Sequence, residues 1–537
     1  MKRLYALFLL ALTGTVSALA QWNTNATPVC IFSTAGHGDY YATSVKAVRT
    51  PDKKTWLAWK TWNKKEVKGI ERDAVETYLQ LLDYNGVPQF SEPILVNDHI
   101  TTTWWSDYGL QVAADGSAIV TVADGRAEEA DIPDDMQHAD GFSPAIYKID
   151  QEGNFLWGLD GVEYPEYGNA AFTNCYVVGN DTYFIFYNTT FDDTGVAEDM
   201  TDIGTFIQRV NDDGTTAWEH PRKWTEEFMQ PQIVPSTDGE FLLFDKSPDG
   251  SVVHRLNRDL EEVWGEPVIY DEYKYDGYAL NQYKLVPDGE GGAAVSFVRP
   301  MGQFSHNIRV QHVYADGSLG FGLTGLDAVN TEDNDYDYCG VAVNPLTREI
   351  LVDFEAQLPN SYDVMLQKFS FDGDYLFDDL GISIAQKSRN NAYAFGRVGI
   401  GSQANGDWIV AYRDVQAYGA NTSFIIRRYD KDANRIWTRT IGRNLDPSSI
   451  TFIVEEHAAY LFYRESSDNK NPGVTIFRIA TDGTYNMDDL THITTAQEGG
   501  EQTATTYFSL DGKRLDQPRK GLTLERTADG TVRKLMR

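Results

Sequence analysis

Hydrophobic and polar residues alternate with a period of two through one phrase that recurs along the chain. In residues 146–157 the phrase is an alternating strand, a turn that contains Asp150 and Gly153, and an aromatic residue, Trp157. Alternation around a turn of the Asp-Gly type is the strongest short-range signal of a β-hairpin. Eight copies occur, at residues 78–86, 146–157, 207–218, 253–264, 310–317, 366–373, 425–437 and 476–483.

Two more alternating strands precede each copy, so each unit has four strands, called A, B, C and D in chain order. In the second unit, strands A and B are residues 110–114 and 118–123. Repeats of this length with four antiparallel strands are typical of propeller blades. We therefore predict an all-β chain whose residues 21–495 form a single β-propeller of eight blades, with a small C-terminal hairpin after it. Seven blades with one irregular unit is the alternative.

A ring of blades needs a closing strand, and residues 27–32 are the candidate. They resemble the D strands at 92–96 and 266–270 but precede the first A strand. Pro28 at the start suits an edge strand, because proline cannot donate to a ladder. If residues 487–495 form the outer strand of the last blade instead, the N-terminal strand has no position in the ring.

The first twenty residues have the pattern of a signal peptide. Lys2 and Arg3 precede an apolar run at 4–12, and Ala18 and Ala20 directly precede the expected cleavage point. No cysteine directly follows that point, and no later apolar run is long enough to span a bilayer. We predict a mature chain from Gln21, exported to the periplasm, cell surface or medium.

Charge and cysteine content narrow the function classes. With 46 Lys and Arg against 79 Asp and Glu, the net charge is -33, which argues against nucleic acid and anionic membranes as partners. A glycan, a surface protein or a cation remains compatible, as does a purely solubilising role for the charge. We expect a monomer. Cys30 falls on an outer strand, and Cys175 and Cys339 on inner strands across the ring, so we expect three free, mostly buried thiols.

The Gly-x-x-x-Trp spacing at the C to D turn, as in Gly214 and Trp218, resembles the tryptophan-docking repeats of quinoprotein dehydrogenase propellers. It is most similar to repeats of secreted Bacteroidetes propeller proteins of unassigned activity. The resemblance implies a fold rather than an activity, and implies that Trp157, Trp218, Trp264 and Trp437 pack between blades. Sialidase Asp-boxes place the aromatic residue one position nearer the glycine.

A linker at 496–505 precedes a C-terminal tail at 506–537, in which basic residues are frequent. The segments 507–515, 518–524 and 531–535 resemble the short C-terminal module of Bacteroidetes exported proteins. That resemblance implies sorting to, or beyond, the cell surface. A small hairpin packed on the propeller is the alternative.

The strand order places the A to B and C to D turns on one side of the ring and the B to C and D to A loops on the other. Nearly all insertions fall in the second set, at residues 63–74, 124–143, 188–205, 414–423, 98–106, 271–277 and 330–335. Long loops on a rigid scaffold are where binding residues usually collect. We expect any function to lie on this side.

Several residue types on that side suggest chemistry. Acidic residues stand where the D to A loops meet the inner strands, at Asp39, Asp107, Asp276 and Asp337. They form either a polar ring at the mouth of the central channel or local Asx-turns, in which each side chain bonds to its own backbone. Trp104 and Trp105 would stack on sugar rings. Arginines recur where B strands end, at Arg126, Arg299, Arg413 and Arg464, and an arginine cluster would suit acidic sugars.

Asp333, Asp335 and Asp337 alternate, a pattern that supplies oxygen ligands for Ca²⁺. No EF-hand glycine and glutamate follow, so solvated loop charge competes with calcium, and no other cofactor is predicted. No Gly-x-Ser-x-Gly, His-Glu-x-x-His or phosphate-binding glycine loop is present. We therefore expect a binding propeller for a glycan or protein. The alternative is a polysaccharide lyase or glycosidase that uses the same loops.

Overall fold

The structure is a computed structural model. It describes residues 21–34, 41–67, 70–97, 99, 108–125, 142–167, 170–188, 203–227, 229–247, 249–273, 283–301, 306–329, 335–388, 395–417, 420–465, 473–485, 506–508, 514–515, 522–526 and 532–536. All regular structure within them is β-strand. No helix among these residues is long and apolar enough to cross a membrane. The chain divides into two compact units, Met1–Met487 and Asp488–Arg537.

The first unit contains eight four-stranded antiparallel sheets, each of which is one blade. Blade 1 consists of β2 (Tyr41–Arg49), β3 (Thr55–Val67), β4 (Ile70–Leu82) and β5 (Ile94–Leu95). Blade 2 consists of β6 (Leu110–Val112), β7 (Ala118–Asp124), β8 (Ser143–Ile149) and β9 (Val162–Glu163). Blades 3 and 4 are β10 (Ala170–Val178), β11 (Asp181–Asn188), β12 (Gly204–Val210), β13 (Arg222–Thr225), and β14 (Gln232–Pro235), β15 (Phe241–Ser247), β16 (Gly250–Leu256), β17 (Val268–Asp271).

The other half of the ring repeats this order with one exchange. Blades 5 and 6 are β18 (Lys284–Pro287), β19 (Ala293–Pro300), β20 (His306–Val313), β21 (Leu326–Asp327), and β22 (Asp335–Asn344), β23 (Glu349–Gln357), β24 (Ser361–Ser370), β25 (Ile382–Ser388). Blades 7 and 8 are β26 (Phe395–Ser402), β27 (Trp408–Ala417), β28 (Ala420–Tyr429), β29 (Arg435–Leu445), and β30 (Pro447–Val454), β31 (Ala458–Glu465), β32 (Gly473–Ala480), with β1 (Val29–Ser33) as the fourth strand.

The strand β1 closes the ring. It pairs antiparallel with β32 as the outer strand of blade 8, with Val29 opposite Ile476. The inner strands contact one another in the order of the blades, and β30 contacts β2. The predicted eight-bladed propeller is therefore confirmed, and the seven-bladed alternative is wrong. Residues 487–495 lie outside the described residues.

The core consists of eight clusters of buried hydrophobic residues, one between each pair of neighbouring blades. The cluster between blades 7 and 8, for example, combines Ile409 and Phe424 with Leu461 and Phe477. The B strands are covered on both faces by the neighbouring blades, which is why they read as nearly continuous apolar runs. Burial between blades is the main stabilising term of the ring.

A second device ties neighbouring blades at the C to D turns. The indole of Trp157 packs on Gly214 of the next blade, where an added Cβ atom would lie 2.6 Å from Cδ1, and Nε1 donates to the Asp212 carbonyl at 3.0 Å. Trp264 and Trp437 pack in the same way on the turns that contain Gly317 and Gly483. The predicted packing of these three tryptophans between blades is confirmed.

Trp218 makes its contact indirectly. Blade 4 has Leu260 with a φ of 63° at the turn position where six blades have glycine and blade 7 has Ala433. The Trp218 ring stacks at 4.1 Å on the guanidinium of Arg222, whose Nη1 donates to the Asp259 carbonyl in blade 4. Trp22, which the repeat pattern does not single out, has the docking role in blade 8: it is buried and Nε1 donates to the Tyr84 carbonyl at 2.9 Å.

The second unit is a small sheet of four strands. They are β33 (Thr506–Phe508), β34 (Arg514–Leu515), β35 (Leu522–Arg526) and β36 (Val532–Met536). All pair antiparallel in the order β34-β33-β35-β36. The tail is thus a four-stranded sheet rather than the single hairpin expected from the sequence.

Candidate functional site

The predicted site residues are unevenly covered by the structure. Trp104, Trp105, Asp39, Asp107, Asp276, Arg126 and Asp333 lie outside the described residues. The backbone of Asp335 and Asp337 belongs to β22. Arg413 lies on β27, at the end where strand B runs into the loop to strand C, and it is half-buried. We call this end of the ring the long-loop face, and the opposite end the short-turn face.

Basic side chains recur at one register position near the long-loop face. We count from the B-strand residue that pairs with the last alternating residue of strand C, for example Thr55 opposite Leu82. The residue five positions after this reference residue is basic in four blades. It is Lys60 in blade 1, Lys246 in blade 4, Arg413 in blade 7 and Arg464 in blade 8. In blade 6 it is Glu355. We refer to these five as the fifth-position residues.

The fifth-position residues face the next blade, because side chains alternate along a strand. Phe244, two residues before Lys246, belongs to the cluster between blades 4 and 5, and Ala411, two residues before Arg413, belongs to that between blades 7 and 8. Lys60 is only 2% exposed. The other four are half-buried, so their charges are partly shielded from water and interact more strongly with a bound ion.

The two arginines of blades 7 and 8 lie in different surroundings. Arg413 Nη1 is 3.5 Å from the Pro447 carbonyl, a long hydrogen bond. Its buried Nε has no hydrogen-bond partner among the described residues. A Cβ atom on Gly396 would lie 2.5 Å from that Nε, so glycine is what allows the guanidinium to lie over the inner strand. Arg464 is the fifth-position residue of the next blade and faces blade 1.

Arg299 lies one residue further along its strand than the fifth position and therefore faces the preceding blade. Its Nη1 is 3.8 Å from Oδ1 of the fully buried Asp271, and its guanidinium lies over the Tyr273 ring at 5.1 Å. Lys246 shares this interface. Burial lowers the pKa of Lys246 to about 8, although Asp271 and Asp245 act in the opposite direction. Arg299, Arg413 and Arg464 all lie near the ends of B strands, as the sequence predicts, but Arg299 lies on the opposite face of its blade.

On its other side, blade 4 holds a protected carboxyl. Asp245 is buried between blades 3 and 4 and accepts a hydrogen bond from Trp224 Nε1. Burial raises the pKa of Asp245 to about 6, against the lowering effect of that hydrogen bond. Adjacent residues of one B strand therefore have pKa values displaced towards each other, Asp245 upwards and Lys246 downwards. Such displacements occur in catalytic sites and also in structural ion networks.

The interface of blades 6 and 7 is a closed ionic contact. Arg397 Nε is 2.9 Å from Oδ2 of Asp353, which has no exposed surface. The Arg397 backbone N–H donates to Glu355. A Cβ atom on Gly340 would lie 1.6 Å from the guanidinium, so the ion pair requires glycine at that position. This arrangement is already internally paired, which makes it a structural element rather than a binding site.

The inner strands carry strain at their long-loop ends. The register of β2, β10, β22 and β30 shifts at the same place. Within each shift, one non-glycine residue has a left-handed backbone: Ser44 (52°), Phe172 (52°), Tyr338 (51°) and Ser449 (47°). This conformation costs about 1–2 kcal/mol for such residues. Tyr338 is 59% exposed. Asp337 directly precedes it, so the predicted acidic position falls on a strained bulge, a feature that clusters at functional sites.

A cavity of about 470 Å³ lies between the outer parts of blades 7 and 8, towards the long-loop face. Its walls include Arg443 and Leu445 of β29, Glu465 of β31, Thr475 of β32 and Cys30 of β1. It lies in the same interface as Arg413. We refer to it as the 7/8 cavity.

Within the described ranges, no group of three or more His, Cys, Asp or Glu side chains is placed to hold a metal ion. Because Asp333 is outside those ranges, the calcium hypothesis stays a prediction. All three cysteines are free, as expected: Cys175 and Cys339 are buried and Cys30 is half-buried.

The sequence missed Lys60 and Lys246 as members of the basic set. Lys60 follows Trp59, and Lys246 stands between Asp245 and Ser247 at the polar end of its strand. Their shared position is visible only once the pairing with strand C is known.

No family model and no curated protein matches the chain. Among solved structures, the chain is similar to an ulvan lyase of a new polysaccharide lyase family, with 9% identity, 79% of this chain and 95% of the other covered, and a TM-score of 0.39. It is similar to polysaccharide lyase Uly1 (8% identity, 82% and 89% covered, TM-score 0.38) and to the acylaminoacyl peptidase of Pyrococcus horikoshii (11% identity, 84% and 60% covered, TM-score 0.38). Identities this low carry no information on activity.

Proposed function

We propose that this chain is an exported binding propeller that holds an acidic polysaccharide on its long-loop face. The observation that supports it is the recurrence of basic fifth-position residues, with Arg413 and Arg464 in neighbouring blades and Lys246 across the ring. Guanidinium groups bind carboxylate and sulfate with paired, charge-assisted hydrogen bonds. A chain with a net charge of -33 would otherwise repel such a polymer.

Partial burial makes these cations suited to a ligand. A guanidinium fully in water gains little from an anion, whereas one held half-buried interacts at a lower effective dielectric constant. Arg413 Nη1 makes only a long hydrogen bond, 3.5 Å to the Pro447 carbonyl, so a ligand oxygen would compete with a weak bond there. The aromatic residues Trp104 and Trp105 and the acidic residues of the D to A loops would add ring stacking and hydroxyl contacts, as the sequence predicts.

The proposal is tested by retention of the purified mature protein on immobilised polyuronate, sulfated polysaccharide and neutral glucan. We expect retention on the acidic polymers, with affinity falling as salt is raised. The double variant Arg413→Gln, Arg464→Gln should bind about tenfold more weakly or worse, as expected for lost hydrogen bonds to charged groups.

A matched control removes two exposed cations from the short-turn face, Lys431→Gln with Arg435→Gln. It changes the net charge equally and should bind like the wild type. Preference for the neutral glucan, or equal weakening in both double variants, would overturn the proposal.

The second candidate is a polysaccharide lyase that uses the same face. It is favoured by Lys246, whose pKa is lowered to about 8, because a general base works best with a pKa near the operating pH. The retention experiment includes an assay for new unsaturated chain ends. If the wild type forms them and Lys246→Met does not, the protein is an enzyme; if the wild type forms none from any acidic polymer, this candidate fails.

We also propose, from the resemblances of residues 1–20 and of the tail, that the protein is exported and sorted at the cell surface. The tail supports this by forming a separate compact unit. A chain ending at residue 505, expressed in a Bacteroidetes host, should accumulate in the periplasm while the full chain reaches the surface. Identical distribution of the two would contradict the sorting role.

A further inference from the structure

The 7/8 cavity is a second candidate site on the molecule, open to solvent and radially outside Arg413. Strand β29 of blade 7 forms one wall, with Arg443 and Leu445. Strands β31, β32 and β1 of blade 8 form the other, with Glu465, Thr475 and Cys30. Its volume of about 470 Å³ falls within the range of small-molecule sites, about 300–1,000 Å³.

The cavity exists because small side chains line the wall where the ring is closed. Cys30 and Thr475 are directly paired across β1 and β32. Gly442, whose N–H donates to the Ala26 carbonyl at 3.0 Å, also lines it. Well-packed propeller interfaces leave few voids of this size.

The polar groups of the cavity differ between its interior and its mouth. Glu465 is 5% exposed, and Oε1 accepts the Asp446 backbone N–H at 2.8 Å, which fixes the carboxylate in place. Thr475 is 4% exposed, and its buried hydroxyl has no hydrogen-bond partner among the described residues. Because a threonine hydroxyl and methyl have similar size, a χ1 rotation brings that hydroxyl to the cavity without changing the packing. Arg443 is exposed and provides a positive charge at the mouth.

We propose that the 7/8 cavity binds a single uronate residue, either a free sugar acid or the end of a chain. Sugar hydroxyls donate to the Glu465 carboxylate and bond with the Thr475 hydroxyl, while the sugar carboxylate meets the Arg443 guanidinium. Leu445 offers an apolar contact for the C–H face of the ring. This assignment deepens the proposed function, since a polymer lying over Arg413 would end in the same interface.

The test uses free glucuronate and galacturonate as probes, with glucose and a zwitterionic amino acid as competitors, and isothermal titration calorimetry of the mature protein. The uronates should bind more tightly than glucose. Thr475→Val should weaken uronate binding about fivefold, the effect of one neutral hydrogen bond, and Arg443→Gln about tenfold, that of a charged one.

Arg435→Gln is the control for Arg443, because it is an exposed arginine at the other end of the same strand; it should leave uronate binding unchanged. Arg443 is exposed, so its variant tests the site even if Thr475→Val impairs folding. No uronate binding, equal binding in Arg443→Gln, or tighter binding of the amino acid would overturn the assignment.

The two proposals fail separately. Retention on polyuronate that depends on Arg413 and Arg464, without binding of the free sugar acid, would refute the cavity assignment alone. Binding of the free uronate without retention on any acidic polymer would refute the polysaccharide proposal alone.

Discussion

The docking of Trp157 on Gly214 allows a quantitative test of how the blades are held together. Gly214 has a φ of 85°, and an added Cβ atom would lie 2.6 Å from the Trp157 ring. Gly214→Ala therefore combines two costs. The left-handed backbone costs about 1–2 kcal/mol for alanine, and displacement of the indole costs about 1–3 kcal/mol in packing and about 1 kcal/mol for the hydrogen bond to Asp212.

Gly179 is the matched control in the same blade. Its φ is 62°, but an added Cβ atom has no neighbour within 4 Å. Gly179→Ala should therefore cost only the backbone term, about 1–2 kcal/mol. We expect Gly214→Ala to lower the free energy of unfolding by about 2–4 kcal/mol more than Gly179→Ala.

The assay is urea unfolding of the mature protein, with the slope checked for constancy so that midpoints are comparable. A double-mutant cycle with Trp157→Ala adds the decisive comparison. In the Trp157→Ala background, Gly214→Ala should cost no more than Gly179→Ala. Equal destabilisation by the two glycine variants in the wild-type background would refute the docking argument.

Three further predictions concern the ring and its buried groups. Asp288 and His312 form a buried contact, with Oδ2 and Nε2 3.0 Å apart; burial alone would raise the pKa of Asp288, but the His312 hydrogen bond and backbone N–H groups lower it. A lowered folded-state pKa stabilises the fold above the unfolded value, about 3.9, so Asp288→Asn should cost about 3 kcal/mol at pH 7. That difference should shrink below about pH 4, and a constant difference in urea unfolding would contradict the charge assignment. Removal of residues 21–33 takes away β1 and Trp22 and exposes the edge of β32, so the truncated chain should self-associate in size-exclusion chromatography; a monomer as stable as the wild type would contradict the closing role. Burial raises the pKa of Cys30 to about 11 and that of Cys175 to about 12, so these thiols should react slowly with a disulfide reagent at pH 8 in the native protein, whereas all three thiols should react in urea; fast labelling of Cys175 in the native protein would contradict its burial.

The fold could be predicted because each repeat contains its own local signals. Turn chemistry such as Asp150 and Gly153 marks one hairpin per blade: the Asp150 carboxylate accepts the Asn154 N–H at 2.7 Å, and Gly153 has a φ of 89°. The ring-closing role of Trp22 escaped notice because it lies outside the repeat phrase. Leu260 likewise stands at a turn position where most blades have glycine, and the alternation of hydrophobic and polar residues around it is unchanged. The pattern therefore does not predict that Trp218 packs differently.

The candidate site was harder to predict, because it depends on register. Arg299 and Arg413 both end a B strand in the sequence, yet a shift of one residue places them on opposite faces of their blades. Lys246 was missed because it lies among polar residues at the end of its strand, where a lysine is unremarkable. The aromatic and acidic residues of the long loops were chosen by residue type alone, and their contribution stays a prediction.

The two ends of the ring use basic residues in different ways. At the short-turn face, a basic side chain near the end of strand C bonds to the next blade's turn in most blades: Arg255 donates to the Ala315 carbonyl, Lys368 to that of Lys431 and Arg428 to that of Thr481. Carbonyl acceptors of neighbouring blades thus occupy these cations, and they hold the ring together.

At the long-loop face, the basic residues have more varied surroundings, and Lys387 donates to the Val415 carbonyl. Arg413 makes one long contact with Pro447, and Arg443 is exposed beside a cavity. The same face holds the bulges with left-handed Phe172 and Tyr338, whose strain no turn explains. If the proposed glycan binds the basic fifth-position residues, charge removal at this face should reduce binding, while equal charge removal at the short-turn face should not.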